Sequence, residues 1–508
     1  MPKISVIGGG PGGYAAAFEA AAAGAEVTLF ESARLGGTCL NAGCIPAKTV
    51  LRSAHALREV ARGADFALTG LPDAACVRVD PGALRGRKEG VVDELVDQLE
   101  ATAKRLKVTV VQGQARLVAP TTVAVAAAAE TASNTPSAPL ATYDSDAVII
   151  ATGSEPVVLP ALSQPFVWTS DDALALREIP REIIIVGGGV IGVEFACAYA
   201  AFGSTVHIVE LAPTLLPGFD ARVVRMLTAS LQQQGVQLHL GTSVETARQQ
   251  ERDDKNTPGV ILSGVGPAAR SRVIAVLSDG TELAADVLMS AVGRAPRTAG
   301  LGADALGLAR DRRALKVDEH LQTNVPGVFA VGDAIGGMML AHAAEAEGRA
   351  AARNALAQLA GRTPTQTVNY RAIPACVYTF PEVAAVGLHS AAAKEAGYAP
   401  VSGLVKYAGN GKALAEGESE GYVELIADRA TGELLGCQIV GAHAVELIAI
   451  AAEALAAQMT VADFRRTVFA HPTVSELLHA AAEAAAAKLD DKTGPVPLSP
   501  TKGEVSAR

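Results

Sequence analysis

Cys39 and Cys44 are two thiols five residues apart, close to the start of the chain. Thiols at this spacing can close a disulfide if the helix start that carries them is distorted, and Gly43 and Pro46 supply the means of distortion. In a cytosolic chain such a disulfide is more typical of catalysis than of structural support. The pair therefore predicts a redox site, while half of a metal site and two unrelated buried thiols stay open as alternatives.

Two glycine-rich segments repeat one pattern, at residues 3–31 and 182–210. In each copy an apolar strand leads into the glycines, a helix follows, and the next strand ends in a Glu 23 residues after the first Gly. This context predicts a βαβ unit that binds the pyrophosphate of a dinucleotide at the helix N-terminus. Ordinary turn glycines are the alternative. The fingerprint glycines are Gly8, Gly10 and Gly13 in the first copy and Gly187, Gly189 and Gly192 in the second.

Glu31 and Glu210 end the second strand of each copy. A carboxylate at this position accepts hydrogen bonds from an adenosine ribose and repels a 2′-phosphate. The residues at 211–217 contain no Arg or Lys, which favours NAD over NADP in the second copy. Because each unit builds one pyrophosphate site, the duplication predicts two nucleotides side by side, FAD in one copy and a nicotinamide nucleotide in the other. Solvated strand ends are the alternative for both Glu residues.

The bulk composition excludes several classes of protein. Lys and Arg number 43 against 53 Asp and Glu, a net charge of −10, and no basic run offers a footprint for nucleic acid. The first apolar run leads directly into glycines, so no signal peptide is predicted and we expect a cytoplasmic protein. The Ala-rich stretches carry Glu, His or Arg within or close by, so none offers the roughly 20 apolar residues of a membrane span.

The 508 residues exceed what one hydrophobic core supports, so several domains are expected. A helix is predicted over 90–106 and a strand over 108–111, and a polar stretch at about 125–142 predicts a surface hairpin or loop. The predicted division is an FAD-binding domain at 1–155 that returns at 279–350, an NAD-binding domain at 156–278, a C-terminal domain at 351–488 and a disordered tail at 489–508.

Taken together, these segments resemble the flavoprotein pyridine nucleotide-disulfide oxidoreductases over about residues 3–485. The resemblance implies an α/β fold with two Rossmann-like domains, for FAD and NAD, and a C-terminal α+β dimerisation domain. Six further motifs match the family in order, at 151–153, 293–296, 330–333 with 340–342, 378–382 and 471–476.

The same resemblance assigns roles to individual residues. Cys39 looks like the thiol that exchanges with substrate, and Cys44 like the thiol that contacts the flavin. His471 would be the acid/base, with Glu476 orienting its imidazole; a structural histidine is the alternative. Lys48 would lie beside the flavin and pair with Glu194 near the nicotinamide, and Asp333 would bind the ribityl chain of the flavin. The residues implied for FAD are Gly8, Gly10, Gly13, Glu31, Thr38, Lys48, Thr152, Gly153, Asp333 and Ala341, and those for NAD are Gly187, Gly189, Gly192, Glu194, Glu210 and Gly293.

Within the family, the details resemble the members that oxidise dihydrolipoamide and reduce NAD⁺. The resemblance further implies a homodimer in which His471 and Glu476 serve the second subunit, with a lipoyl-bearing protein or free dihydrolipoamide as partner. Phe469 stands where many lipoamide enzymes carry the first His of a His-x-His-Pro string, and Ala47 replaces a common Ser. The alternatives are a related NAD(P)H-dependent disulfide or mercuric-ion reductase and a non-catalytic flavoprotein subunit.

Overall fold

The computed structural model describes residues 1–72, 76–126, 141–251 and 271–489. The chain divides into two compact units. The first comprises 1–215 and 232–368, and the second comprises 216–231 and the described residues from 369 onward. In the described part of the chain, no helix has the length and apolarity that a membrane crossing requires.

The N-terminal elements include the first βαβ repeat and the segment that carries the two cysteines. The long helix predicted over 90–106 begins earlier, at Pro81, because Asp80 accepts hydrogen bonds from Gly82 N (2.8 Å) and Ala83 N (3.0 Å). The elements are β1 (Lys3–Ile7), α1 (Pro11–Ala22), β2 (Glu26–Glu31), α2 (Gly37–Ala42), α3 (Cys44–Ala61), α4 (Pro81–Arg105), β3 (Thr109–Gln112), β4 (Gln114–Ala119), β5 (Thr122–Ala126), β6 (Ala141–Asp144), β7 (Ala147–Ile150) and β8 (Ser154–Pro156).

The middle of the chain contains the second βαβ repeat and then returns to the first sheet. Its elements are β9 (Val167–Trp168), α5 (Ser170–Leu174), β10 (Glu182–Val186), α6 (Val190–Ala201), β11 (Thr205–Glu210), α7 (Ala221–Gln233), β12 (Gln237–Leu240), β13 (Val244–Glu251), β14 (Ser271–Leu277), β15 (Glu282–Ala285), β16 (Val287–Ser290), β17 (Arg294–Pro296), β18 (Arg310–Asp311), β19 (Ala314–Leu315), β20 (Val328–Ala330) and α8 (Ala341–Leu359).

The second unit is built on an antiparallel sheet in the order β21-β22-β25-β24-β23. Its core lies between this sheet and α11 and α13, and every residue of β24 and β25 is buried. The elements are β21 (Ala375–Val377), β22 (Val383–Gly387), α9 (Ser390–Glu395), β23 (Pro400–Lys406), α10 (Gly411–Ala415), β24 (Tyr422–Asp428), β25 (Leu434–Val440), α11 (Ala444–Ala456), α12 (Val461–Phe464) and α13 (Glu476–Ala486).

Two five-stranded parallel sheets of the first unit position the predicted site. Their orders are β20-β7-β1-β2-β3 and β12-β11-β10-β16-β9, so β1 and β10 are the central strands. Both central strands are almost wholly buried, as expected of apolar runs covered on two faces. The glycine turns follow the carboxyl ends of β1 and β10, where open α/β sheets bind their ligands.

Strands β5 and β6 pair with each other at the two ends of the hairpin or loop predicted at 125–142. Residues 127–140 of that prediction lie outside the described residues, as do residues 490–508 of the predicted tail.

Candidate active site

The first dinucleotide unit, defined as β1, α1 and β2, requires glycine at two positions for steric reasons. A Cβ on Gly8, whose φ is +105°, would lie 2.2 Å from Ala151 O, and a Cβ on Gly13 would lie 1.8 Å from Gly8 O. The turn after β1 is therefore pressed against the end of β7, and the helix starts in direct contact with the turn. These contacts match the tight-turn and close-packing roles of a dinucleotide fingerprint.

The second dinucleotide unit, defined as β10, α6 and β11, repeats these contacts. Gly187 has φ +112° and its Cβ would lie 2.4 Å from Ala291 O, while a Cβ on Gly192 would lie 1.9 Å from Gly187 O. The middle glycines differ from the outer ones because space is open around them. A Cβ on Gly10 would come no closer than 3.7 Å to another described residue, Gly37, and one on Gly189 would meet none within 4 Å.

Helices α1 and α6 begin with no side-chain cap on their terminal N–H groups. A helix N-terminus with this opening beside it is suited to a pyrophosphate, because the orphan N–H groups and the helix dipole both favour an anion. Both units therefore fit a dinucleotide.

Glu31 and Glu210 hold equivalent positions in the two units. Glu31 accepts hydrogen bonds from Gly9 N (2.7 Å) and Ala33 N (2.7 Å). Glu210 accepts them from Gly188 N (2.6 Å) and Ala212 N (2.7 Å). Each carboxylate is thereby fixed beside its glycine turn, and its remaining lone pairs suit the hydroxyls of a ribose.

Cys39 and Cys44 come together at a break between two helices. Cys39 lies in α2, which ends at Ala42, and Cys44 is the first residue of α3. Gly43 separates the two helices. Because it has no side chain, Thr38 O can pack against it, whereas a Cβ there would lie 2.9 Å from that oxygen. Both cysteines are thiols in this structure.

The two thiols share a hydrogen bond, and this bond separates their acidities. It lowers the pKa of Cys44 to about 7, against the opposing effect of burial and with help from the Lys48 charge. The pKa of Cys39 is raised far above its ordinary value by the same hydrogen bond and by burial. One proton therefore leaves the pair near neutral pH, and the charge resides on Cys44, stabilised by the Cys39 S–H donor.

Lys48 and Glu194 form an ion pair that joins α3 to α6. The Lys48 Nζ lies 3.1 Å from Glu194 Oε1 and 2.8 Å from Oε2. Glu194 is 6% exposed, so this ion pair is largely shielded from solvent on the carboxylate side. The ion pair places Lys48 of α3 against α6, the helix of the second dinucleotide unit, as the family resemblance implies.

His471 and Glu476 lie in the second unit and contact each other. The His471 Nδ1 is 2.9 Å from Glu476 Oε1, and Glu476 Oε2 accepts a hydrogen bond from Thr473 N (2.9 Å). The Thr473 N–H and the His471 ring lower the pKa of Glu476. The carboxylate thus fixes the ring, and the imidazole is 83% exposed, with Nε2 left to act on a substrate.

The other residues predicted for FAD follow strands of the first sheet or lie at the start of a helix. Thr152 and Gly153 follow β7, and the Thr152 hydroxyl donates to Arg297 O (2.6 Å). Asp333 follows β20, and Ala341 is the first residue of α8. Thr38 is exposed on α2 beside Cys39. The residue predicted for NAD outside its fingerprint, Gly293, follows β16 with φ +112°.

Three residues near Asp333 have no role predicted from the sequence, although one of them, Arg294, lies in the motif at 293–296. Ser154 and Arg294 hydrogen bond with each other and, through Ser154, with Asp333. Glu347 is 5% exposed and accepts a hydrogen bond from Gly332 N (2.6 Å). A signal existed for Glu347, since it is an acidic residue on the buried face of α8.

Phe469, which replaces a family histidine, packs inside the second unit. Its ring lies 6.0 Å from the ring of Phe464 and 6.0 Å from that of His479. In the described ranges, His, Cys, Asp and Glu side chains form no group of three or more that could hold a metal ion.

Comparison with known families agrees with this geometry. Residues 2–348 match the model described as pyridine nucleotide-disulphide oxidoreductase. Residues 373–482 match the dimerisation domain of the same family. The two family models cover most of the chain. The gap between them, at 349–372, contains the division between the two compact units after residue 368.

Relatives match over nearly the whole chain. Dihydrolipoyl dehydrogenase of Bacillus subtilis (strain 168) is 36% identical over 481 residues, which cover 94% of this chain and 97% of the relative. Dihydrolipoyl dehydrogenase of Trypanosoma brucei brucei is 38% identical and covers 96% of each chain.

Two solved structures share the fold. LpdA from Mycobacterium tuberculosis has a TM-score of 0.83 at 25% identity, covering 95% of this chain and 99% of that one. The HOCl-induced flavoprotein disulfide reductase RclA from Escherichia coli has a TM-score of 0.78 at 27% identity with the same coverage.

Proposed function

The chain belongs to the pyridine nucleotide-disulphide oxidoreductase family, and we propose that it oxidises dihydrolipoamide to the disulfide and reduces NAD⁺. The observation that carries the proposal is the thiol pair at the junction of α2 and α3, beside an ion pair that reaches the second dinucleotide unit. The family uses FAD and NAD(H). The names of the relatives support dihydrolipoamide as the dithiol.

The two cofactors are assigned to the two dinucleotide units. The residues that we propose hold FAD are Gly8, Gly10, Gly13, Glu31, Thr38, Lys48, Thr152, Gly153, Asp333 and Ala341, and those for NAD are Gly187, Gly189, Gly192, Glu194, Glu210 and Gly293. The domains divide accordingly, with FAD bound by 1–155 and 279–350 and NAD by 156–278. When bound, FAD carries an electron pair between the thiols and the nicotinamide nucleotide.

The thiol chemistry begins from the Cys39–Cys44 disulfide. A substrate thiolate attacks the sulfur of Cys39, which forms a substrate–Cys39 disulfide and releases Cys44 as a thiolate. This leaving group is favoured by the nearby Lys48 charge, which lowers the pKa of Cys44. The second substrate thiol then attacks the sulfur that the substrate donated to the mixed disulfide. The substrate leaves as a cyclic disulfide, and Cys39, whose pKa is raised, takes up a proton.

His471 is the proposed base that takes the proton from the substrate thiols, with Glu476 fixing its ring. Its exposure of 83% within one chain fits a residue that acts on a second subunit. We therefore propose a homodimer, formed through the dimerisation domain at 373–482, in which each His471 serves the other subunit's thiol pair. The reaction needs a reduced dithiol partner, free or on a lipoyl-bearing protein, and we place it in the cytoplasm, where thiols stay reduced.

The direct test is NADH formation by the purified protein with dihydrolipoamide and NAD⁺. Cys44→Ser should abolish turnover, whereas Cys76→Ser, which alters an exposed cysteine outside the proposed site, should leave it unchanged. His471→Gln should lower the rate by about a hundredfold or more, the usual contribution of a general base. NADP⁺ should be a poor acceptor. Absence of turnover in FAD-loaded protein would reject dihydrolipoamide as the substrate.

A second candidate function is the reduction of another disulfide or a metal ion by NADH. The specific observation is Phe469, a partly buried aromatic residue that packs against the core at a position where many lipoamide enzymes have a histidine. The match to RclA points the same way, since that protein is a disulfide reductase and one of its solved structures is a Cu(II) complex.

NADH consumption separates the two candidates. The protein should be supplied in turn with lipoamide, a low-molecular-weight disulfide, mercuric ion and Cu(II). Fast reduction of lipoamide alone supports the first candidate. Reduction of the other acceptors without lipoamide turnover supports the second, and loss of that activity in Cys44→Ser would assign it to the same thiol pair.

A further inference from the structure

Ser154 contacts the carboxylate of Asp333, the residue proposed to bind the flavin's ribityl chain. The Ser154 hydroxyl is 2.5 Å from Asp333 Oδ2, and Ser154 is 3% exposed. Within the described part of the chain, the other carboxylate oxygen, Asp333 Oδ1, accepts no hydrogen bond. One carboxylate oxygen is therefore occupied by the protein, and the other is available to a ligand.

Arg294 determines the direction of the Ser154 hydroxyl. Its Nε donates to Ser154 Oγ (2.8 Å), and its Nη2 donates to Ser154 O (2.9 Å). Because the guanidinium has only donors, the oxygen of Ser154 must accept, and the single hydroxyl proton is left to point at Asp333 Oδ2. The buried Ser154 hydroxyl thus links the positive charge of Arg294 to the negative charge of Asp333.

The strand pairing explains why these residues meet. Ser154 begins β8, on the path out of the first sheet, and Arg294 begins β17, on the path back from the second sheet. The two strands pair antiparallel, with Ser154 opposite Pro296 and Arg294 opposite Pro156. Both connections between the sheets therefore converge on Asp333.

The backbone at Asp333 is held independently. Gly332 has φ +65° and donates its N–H to the buried carboxylate of Glu347 (2.6 Å). The Asp333 main chain is thus anchored to α8, while its side chain is oriented by Ser154. The two anchors leave the carboxylate little freedom to rotate.

We propose that Ser154 and Arg294 are positioning residues for FAD: they hold Asp333 so that Oδ1 faces a ribityl hydroxyl while Oδ2 stays occupied. This inference rests on the proposed function, because it takes FAD as the ligand of the first dinucleotide unit. Pre-organisation of this kind raises affinity, since the carboxylate need not be ordered when the cofactor binds.

The test measures the FAD dissociation constant of the FAD-free protein, with unfolding of that protein by urea in parallel. Ser154→Ala should weaken FAD binding by about tenfold, the effect of losing one charge-assisted hydrogen bond. Ser154→Thr keeps the hydroxyl and should restore the affinity. Arg294→Met should weaken binding as Ser154→Ala does, and Arg294→Lys should lie between.

Thr298→Val is the matched control. Thr298 is 2% exposed and its hydroxyl donates to Arg313 O (2.7 Å), so the variant also loses one buried hydroxyl bond in the same region. Its urea stability should fall by an amount similar to that of Ser154→Ala, but its FAD affinity should stay within about twofold of the parent. NADH affinity should be unchanged in both variants.

Three results would overturn the inference. One is FAD affinity in Ser154→Ala within about twofold of the parent. Another is equal weakening in Ser154→Ala and Thr298→Val, which would reduce Ser154 to a general structural role. The third is failure of Ser154→Thr to restore affinity. If the parent protein binds no FAD at all, the proposed function fails together with the inference. If it binds FAD and oxidises dihydrolipoamide while Ser154→Ala binds FAD normally, only the inference fails.

Discussion

The first and second dinucleotide units have the same local structure but different surroundings. In the first, Gly12 packs against Val331 and Ala344, and a Cβ on Gly37 would lie 2.6 Å from Gly10 Cα. In the second, no described residue approaches the Cβ position of Gly189 within 4 Å, and Val190 is 37% exposed. Later parts of the chain therefore pack against the first cradle, where the Cβ position of Gly10 has a neighbour at 3.7 Å, whereas that of its equivalent, Gly189, has none within 4 Å.

This difference bears on which cofactor each unit takes. An enclosed cradle suits a cofactor that stays bound through many turnovers, whereas an open one suits a nucleotide that enters and leaves in every cycle. The contacting parts are α2, α8 and Val331 just after β20, and none of them belongs to the βαβ repeat itself. The glycine fingerprint alone therefore defines a pyrophosphate site, and the elements that cover it determine how the site is used.

The largest effect is expected from placing a methyl group on the third glycine of each fingerprint. In Gly13→Ala and Gly192→Ala the new Cβ would lie 1.8 and 1.9 Å from a carbonyl oxygen of the turn. Each variant should lose about 3 kcal/mol or more of unfolding free energy, the range of severe steric substitutions. Gly13→Ala should lose FAD, and Gly192→Ala should keep FAD and lose NADH binding.

Urea unfolding, FAD content and NADH titration measure these effects. Gly86→Ala is the control, because it adds a Cβ in open space within α4 and should be slightly stabilising. If both fingerprint variants lost the same cofactor, the assignment of one nucleotide to each unit would be wrong.

The next largest effect is expected from replacing Glu31 and Glu210, the acidic residues at the ends of β2 and β11. Glu210→Ala removes the acceptor of the Gly188 and Ala212 N–H groups, and NADH affinity should fall by about tenfold or more, as for other hydrogen bonds to charged groups. The preference for NAD⁺ over NADP⁺ should also decrease, because the carboxylate no longer repels a 2′-phosphate. Glu31→Ala should weaken FAD binding and leave NADH affinity unchanged. NADH and NADPH titrations of both variants check this, and unchanged discrimination in Glu210→Ala would remove the basis for the NAD assignment.

A smaller effect is expected at the middle glycines, where the fold leaves room for a side chain. Gly189→Ala should change unfolding free energy by about 0.5 kcal/mol or less, because the Cβ meets no described residue. NADH affinity should nevertheless fall several-fold, since the methyl group would keep the backbone away from the pyrophosphate. Gly10→Ala should do the same for FAD. Unfolding measured beside cofactor titration separates the two quantities, and an unchanged affinity would show that the pyrophosphate lies elsewhere.

The repeats and the cysteine pair were predictable because they depend on local spacing. A strand, a glycine turn and a helix within a few residues build a cradle wherever the segment stands in the chain, and Gly43 breaks the helix between the two thiols in the same local way. The prediction of a helix from residue 90 starts α4 too late, because Asp80 as N-cap and Pro81 at the first helical position form a helix start nine residues earlier.

The setting of Asp333 could not be predicted in the same way. Ser154, Arg294 and Glu347 come from three separate stretches of chain, and they meet only because β20 joins the sheet beside β7 and β17 pairs with β8. Which distant strands become neighbours depends on the packing of the whole unit. Periodicity and spacing carry no information about that choice.

The smallest effect sharpens the comparison, because it measures how far the second dinucleotide unit influences the redox pair next to the first. Glu194 lies on α6 and raises the pKa of Cys44, whereas Lys48 on α3 lowers it. Lys48→Met should therefore raise the Cys44 pKa above about 7, and Glu194→Gln should lower it, each by up to about one unit. Arg52→Met removes a 57% exposed cation from α3 and should change the Cys44 pKa little.

Ultraviolet thiolate absorbance of the reduced protein, followed against pH, gives the Cys44 pKa. Because the folded-state pKa lies below the ordinary value of 9, the thiolate stabilises the fold fully at alkaline pH, and this contribution is lost as pH falls through about 7. Lys48→Met should diminish that pH dependence and Glu194→Gln should enlarge it. Shifts of opposite sign would mean that the Lys48 cation and the α6 carboxylate both tune the acidity of Cys44. An unchanged pKa in both variants would mean that the Cys39 hydrogen bond alone sets the acidity of Cys44 and that the two dinucleotide units are electrostatically independent.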